Sequence, residues 1–276
     1  MTKLSRLCRT LVCVFVLSQP LCAKAGPERV ASLNLCLDQM VLALIPRERI
    51  ASLTYLAADP KVSVLANKVG DIALNRGLAE QLIPLKPDLI LAGQFGASEA
   101  VSILRRLGYR VETLALPRTL ADIRLYIHRM GRLLKAETQA ESMLIDMDKH
   151  LAQVGKLIAG QEKIPALIYG PNGVTFGSDT LEHELLVLAG YENIAATLGI
   201  TGYSYFPLER LVSVRPQRLV IDAYNKQNFS IAREYLYHPV LKKIIPAENY
   251  IVLPRAMSVC SAPFVSQLVE ALVAQR

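Results

Sequence analysis

From residue 29 onward, short apolar runs alternate with stretches whose apolar residues recur every three or four positions. Arg29 to Leu33 reads as a buried strand, and Leu35 to Leu44 as a helix capped by Asn34. Arg49 to Thr54, Leu89 to Ala92 and Arg110 to Leu114 are further predicted strands, with a helix over Ala97 to Leu107 that ends at Gly108. From Leu120 to about Ile158 the pattern is almost continuously helical. Within it, Ala136 to Ile158 keeps Met143, Leu144, Met147, Leu151, Val154 and Ile158 on one stripe. A second alternating run follows, with strands at Ala166 to Tyr169, Arg218 to Asp222 and Tyr250 to Leu253. Its helices are Leu181 to Leu188 and Phe264 to Ala274. Strands alternating with helices argue for parallel sheets built from βαβ units.

One phrase occurs twice. Residues 80–91 read EQLIPLKPDLIL and residues 209–221 read ERLVSVRPQRLVI. Each runs from Glu through apolar positions to a basic residue and Pro, then into an apolar run. This predicts a short helix stopped before the proline and followed by a buried strand. A separation of 129 residues is far above the period of about 20–50 residues that marks a solenoid. It fits two similar lobes. The expected organisation is an N-terminal α/β lobe over 26–118, a helical connector over 119–160 and a C-terminal α/β lobe over 161–276. The fold class is α/β: two Rossmann-like lobes joined by a long connecting helix, with a ligand cleft between them.

The first 25 residues stand apart. Lys3, Arg6 and Arg9 precede an apolar run from Leu11 to Leu17, and Ala23-Lys24-Ala25 presents small residues at both positions a signal peptidase reads. This is the pattern of a cleavable signal peptide and predicts a periplasmic protein. Cys22 offers the competing reading of a lipid anchor, although Gln19-Pro20-Leu21 lacks the small residues expected before a lipidated Cys. Removing the segment changes the charge. Four of the 31 basic residues and none of the 24 acidic ones lie in it, so the remainder carries 27 basic against 24 acidic. A net charge of +3 gives no support to nucleic-acid binding. Of five cysteines, only Cys36 and Cys260 remain, so one disulfide at most is available.

These stretches resemble a known family. The phrase EQLIPLKPDLILAG, the opening RVASLNLCLDQMVLALIPRERIASL, the long helical connection and TLEHELLVLAGYENIA…YSYFPLERLVSVRPQRLVI look like the periplasmic binding proteins of cobalamin and iron-siderophore ABC importers. The resemblance covers residues 28–275. It implies a capture protein rather than an enzyme, and a monomer that delivers a metal-chelate small molecule to a transmembrane permease. It also implies that Glu80 and Glu209 dock onto arginines of that permease. The residues alone offer a plainer account, because a carboxylate in the first turn of a helix is favoured by about 0.3–1 kcal/mol at the helix's positive end.

Open α/β sheets bind ligands at the C-terminal ends of their strands. In the first lobe that rule selects Asn34, Leu35 and Cys36, then Tyr55, then Gln94 and Phe95. In the second it selects Tyr169 to Asn172, Tyr224, and Arg255 to Cys260 including Met257. Tyr203, Tyr205 and Phe206 fall just before the second Glu phrase, where the resemblance places a pocket wall. Their faces suit a flat ligand such as a corrin, porphyrin or catecholate, and the alternative is core packing. Arg76 and Arg255 are candidates for an anionic ligand group. Cys36 and Cys260 fall on predicted cleft loops, one per lobe. A bridge, two separate thiols and soft metal ligands all stay open.

No cofactor is expected. His128, His150, His183 and His238 lack HExxH or paired ligand spacing, so a dedicated protein-ligated metal site is not expected. Nucleophile-elbow and phosphate-loop motifs are absent. An exported hydrolase or chelatase is the alternative from another class, and haem is the alternative ligand within the same family.

Overall fold

A computed structural model describes residues 26–222, 236 and 238–276. The proposed signal peptide and Tyr224 therefore lie outside the described residues. The first lobe runs β1 (Val30–Ser32), α1 (Leu35–Leu44), β2 (Ile50–Thr54), β3 (Leu74–Asn75), α2 (Ala79–Leu82), β4 (Leu89–Gly93), α3 (Ser98–Arg106) and β5 (Val111–Leu114). Its strands form one parallel sheet in the order β3-β2-β1-β4-β5.

Next come α4 (Leu120–Leu134) and α5 (Glu137–Ile158). The second lobe holds β6 (Ile164–Ile168), β7 (Val174–Phe176), α6 (Leu181–Leu188), β8 (Tyr191–Asn193), α7 (Ile194–Thr197), β9 (Tyr203–Tyr205), α8 (Leu208–Val214) and β10 (Arg218–Asp222). It closes with α9 (Pro239–Ile244), β11 (Tyr250–Leu253), α10 (Arg255–Ser258) and α11 (Ser261–Val273). Here β11-β10-β6-β8 is a parallel sheet, and β7 and β9 form a separate antiparallel pair.

The repeated phrase folds the same way twice. A short helix ends at a basic residue in the left-handed region, Lys86 at φ 46° and Arg215 at φ 47°; Pro87 or Pro216 follows, and then β4 or β10. The residue before each proline leaves the helix as expected, but into the left-handed rather than the extended region. In the second copy Pro207 is the extended N-cap of α8.

Alternation along the strands explains the burial of both sheet faces. In β4, Leu89 and Leu91 face an inner core while Ile90 and Ala92 face an outer one. In β10, Val220 faces the inner core and Leu219 the outer. The inner core is continuous between the lobes. It runs from Val30 and Leu91 through Met40, Ile127, Met147 and Val269 to Ala166, Val220 and Ile251. α11 is its centre and packs against α1, α4, α5 and α6.

The connector departs from the sequence reading of nearly continuous helix. Lys135 adopts a left-handed conformation (φ 51°) and Ala136 N–H bonds back to Gly131 O, so α4 ends and α5 doubles back along it. An ion pair between Arg124 and Asp148 spans the two helices. No Pro or Gly marks the break, which is why the pattern hid it. At Gly131 a Cβ would come within 2.7 Å of the Ala140 Cβ, so the helices cross where there is no side chain to hold them apart.

Candidate functional site

In the first sheet the strand order reverses between β1 and β4, and in the second between β6 and β10. Ligand crevices form at such switch points. Asn34 closes β1 and caps α1: its Oδ1 accepts from the N–H groups of Cys36 (3.0 Å) and Leu37 (3.3 Å). Its amide lies against Gly93 at the end of β4, where a Cβ would sit 2.8 Å from Asn34 Nδ2. Gly93 is therefore what lets the two strand ends meet.

Around this point the first lobe presents Tyr55 (45% exposed) and Phe95 (70%), with Gln94 also open to solvent. The Arg76 guanidinium lies 4.7 Å from the Tyr55 ring centroid, a cation–π contact, and its backbone N–H donates to Gln81. Leu35 is buried in the first turn of α1 and offers little surface.

In the second lobe Tyr169 follows β6, is fully buried, and lines a cavity described below. Asn172 is exposed in a left-handed turn at φ 56°. Tyr203 (64% exposed) and Tyr205 (55%) sit two apart on β9 and so share a face, with the Tyr203 ring edge-on to Phe176 at 5.2 Å. Phe206 does not join them. Its ring is fully buried among Leu167, Leu211 and Leu219, under the Arg210 guanidinium at 5.1 Å. The chain turns inward after β9, so the third aromatic of the cluster is core rather than pocket wall. Met257 likewise packs against the inner core, and Arg255 opens α10 half-buried.

Cys36 and Cys260 are joined in a disulfide, with Cα atoms 5.2 Å apart. It ties the first turn of α1 to the N-cap of α11 and lines a cavity of about 140 Å³ between the lobes. Leu116, Pro117 and Arg118 enter this cavity from the loop after β5; Leu181, Glu182, Tyr203 and Ser258 enter from the other lobe. Partial burial raises the Tyr203 phenol above its usual range, Glu182 raises it further, and Arg118 opposes both. The sequence reading missed Arg118, although it too follows a strand end. A larger cavity of about 390 Å³ opens beside Tyr203 into the second lobe.

Asp38, also on α1, is wholly buried and accepts hydrogen bonds from the Thr54 backbone N–H and hydroxyl and from Ser32. Burial pushes its carboxyl up to about 7. Among the described residues, no cluster of His, Cys, Asp and Glu has the makings of a metal site. His150 pairs with Glu270, and His183 lies 3.2 Å from the Asn193 amide.

Two parallel-sheet lobes around a cleft with strand-end loops on both sides define a two-lobed solute-binding fold. A profile of the periplasmic binding protein family matches residues 30–247, well over half of the chain, and the chain belongs to that family. Membership makes this an exported protein. An ABC transporter substrate-binding lipoprotein of Bacillus subtilis (strain 168), YvrC, is 27% identical over 212 residues, which is 74% of this chain and 66% of the relative's length, just under two thirds. Among solved structures, the periplasmic heme-binding protein RhuT from Roseiflexus sp. RS-1 superposes with a TM-score of 0.71 at 20% identity, covering 91% of this chain and 99% of that one. A periplasmic heme-binding protein from Pseudomonas aeruginosa gives 0.70 at 23% identity, covering 90% and 92%. At these identities the structural likeness establishes the fold.

Proposed function

We propose that this protein captures a metal chelate, a ferric siderophore or a cobalamin-type corrinoid, in the periplasm and hands it to an ABC permease. The observation that carries the reading is the set of exposed aromatic rings near strand ends of both lobes, Tyr55 and Phe95 after β2 and β4 and Tyr203 and Tyr205 on β9, with Tyr203 lining the cavity between the lobes. Flat, partly apolar faces suit the organic shell of a chelate. Arg76 and Arg118 supply positive charge on the first lobe's side for anionic groups of such a ligand.

Glu80 and Glu209 supply the permease contact. Both are exposed in the first turn of corresponding short helices, one per lobe, and among the described residues neither forms an ion pair. Charge reversal at both should abolish uptake and leave ligand affinity unchanged, at about 1.5–3 kcal/mol of docking per lost charge-assisted contact. Normal uptake by the double variant would reduce both to helix-dipole partners. The protein works as a monomer without catalytic turnover, processed by cleavage after Ala25.

Haem is the second reading, favoured by Tyr203 in the cleft and by the haem-binding proteins among the structural neighbours. An iron–phenolate bond there has to displace a proton that burial and Glu182 hold in place. Titration with cobinamide, cobalamin, haem and a panel of ferric siderophores, followed by absorption and calorimetry, tests both. Binding of at least micromolar affinity, about −8 kcal/mol, is expected for one of them. Silence from all of them overturns the capture reading, and haem binding lost in Tyr203→Phe would select the second.

A further inference from the structure

The cavity of about 390 Å³ inside the second lobe is separate in shape from the cleft but continuous with it. Its walls are apolar: Ile168, Val174, Phe176, Leu186, Val220 and Leu268. Its mouth is formed by Glu182, Tyr203 and Ser258, the same three residues that border the smaller cavity between the lobes. Protein interiors leave few voids larger than a water molecule. A space this size with mostly apolar walls is poorly suited to water and lies within the range of small-ligand pockets. Among the described lining residues the polar side chains are Tyr169 and, at the mouth, Glu182, Tyr203 and Ser258, of which Glu182 is the acidic one.

We infer that this cavity is an annex of the cleft that receives an apolar, uncharged arm of the captured ligand, an aryl or short acyl group. Glu182 at the throat accepts a hydrogen bond from a hydroxyl or amide N–H where the arm joins the polar head. The ligand class is thus an amphiphilic chelate: a metal-bearing head in the cleft against Tyr203 and the arginines, and a lipophilic arm in the second lobe. A carboxylate at the entrance also selects against arms that carry negative charge. The inference rests on the cleft being the capture site.

The test uses a metal-free probe, so that its failure and the failure of the capture reading are distinguishable. The chain contains no Trp, so a fluorescent probe is read against a low background. The neutral dye N-phenyl-1-naphthylamine should bind saturably at one site, and the anionic dye 8-anilinonaphthalene-1-sulfonate at least tenfold more weakly. Val174→Trp, on half-buried β7, should fill the annex and weaken neutral-dye binding at least tenfold; a far-UV spectrum and urea midpoint verify its fold, and Ile168→Phe stands in if it fails to fold. Glu182→Gln should remove most of the discrimination between the dyes. A ferric chelate with an acyl arm should displace the neutral dye, and ferric citrate should not. No saturable dye binding, binding unchanged in a folded filled variant, or equal displacement by both chelates would each overturn the annex.

Discussion

The disulfide lends itself to a quantitative test. Cys36 and Cys260 are 224 positions apart, so the bond closes a loop of most of the described chain. In the chain-entropy account, cross-linking a loop of that length removes roughly 18 cal/mol/K from the unfolded ensemble, or about 5 kcal/mol at 25 °C. Measured effects fall between about 0 and 5 kcal/mol, because unfolded chains retain structure. The perturbation is Cys36→Ala with Cys260→Ala, chosen over Ser because Cys260 is 3% exposed and a hydroxyl there would need a partner. The inner core and α11 packing remain, so the variant should fold. Its urea midpoint should fall by about 1–2 M, given a slope near 3 kcal/mol/M for a chain of this size. The slope itself should steepen, since an uncrosslinked unfolded chain exposes more surface. Wild-type protein in strong reductant should reproduce the shift. A midpoint within about 0.3 M of wild type, with the slope unchanged, would refute the argument that loop closure is what this bond contributes.

Three further outcomes follow from features of the core and connector. Asp38 is held up near 7 when folded against about 3.9 when unfolded, so the folded state binds its proton more tightly, and the stability this confers is present at acid pH and lost as pH rises through 7. Between pH 5 and pH 8 the unfolding free energy of wild type, relative to Asp38→Asn, should fall by about 3 kcal/mol in urea titrations; a flat difference would show that the hydrogen bonds from Thr54 and Ser32 outweigh burial. Gly131→Ala should destabilise by about 1–3 kcal/mol despite the roughly 1 kcal/mol helix-propensity gain, because the added Cβ meets Ala140; a higher melting temperature would reverse that reading. Finally, with core, helical hairpin and disulfide all joining the lobes, small-angle scattering of free and ligand-loaded protein should show a radius of gyration near 18 Å that changes by less than about 1 Å; a larger drop means wide closure.

Most of the lobes could be read from the sequence, and the reasons are local. Buried strands such as Leu89–Gly93 are continuous apolar runs, and Asn34 carries its capping chemistry in its side chain. The repeated Glu phrase gave matching helix–strand corners. What stayed hidden depends on tertiary context. The break at Lys135 has no Gly or Pro to announce it, and β7 and β9 are three residues each and paired only with one another. Phe206 looked like its neighbours Tyr203 and Tyr205 but turns into the core. Arg118 and Glu182 line one cavity from opposite lobes only because the lobes share helices, and no spacing in one dimension shows that.

That shared interior bears on when the protein can become a protein at all. α11 follows every other described element in sequence, yet Val265, Leu268, Val269 and Leu272 fill the middle of the core that both sheets need. A growing polypeptide lacking that helix cannot bury the inner face of its first sheet, however completely residues 26–118 have emerged. The usual advantage of synthesis from the N-terminus, in which the first unit folds while the second is being made, is therefore withheld. Many contacts of the centre, such as those of α11 with α1 and α4, join distant parts of the sequence, which slows folding as well as delaying it. For an exported chain, that delay lengthens the interval in which the polypeptide is still loose.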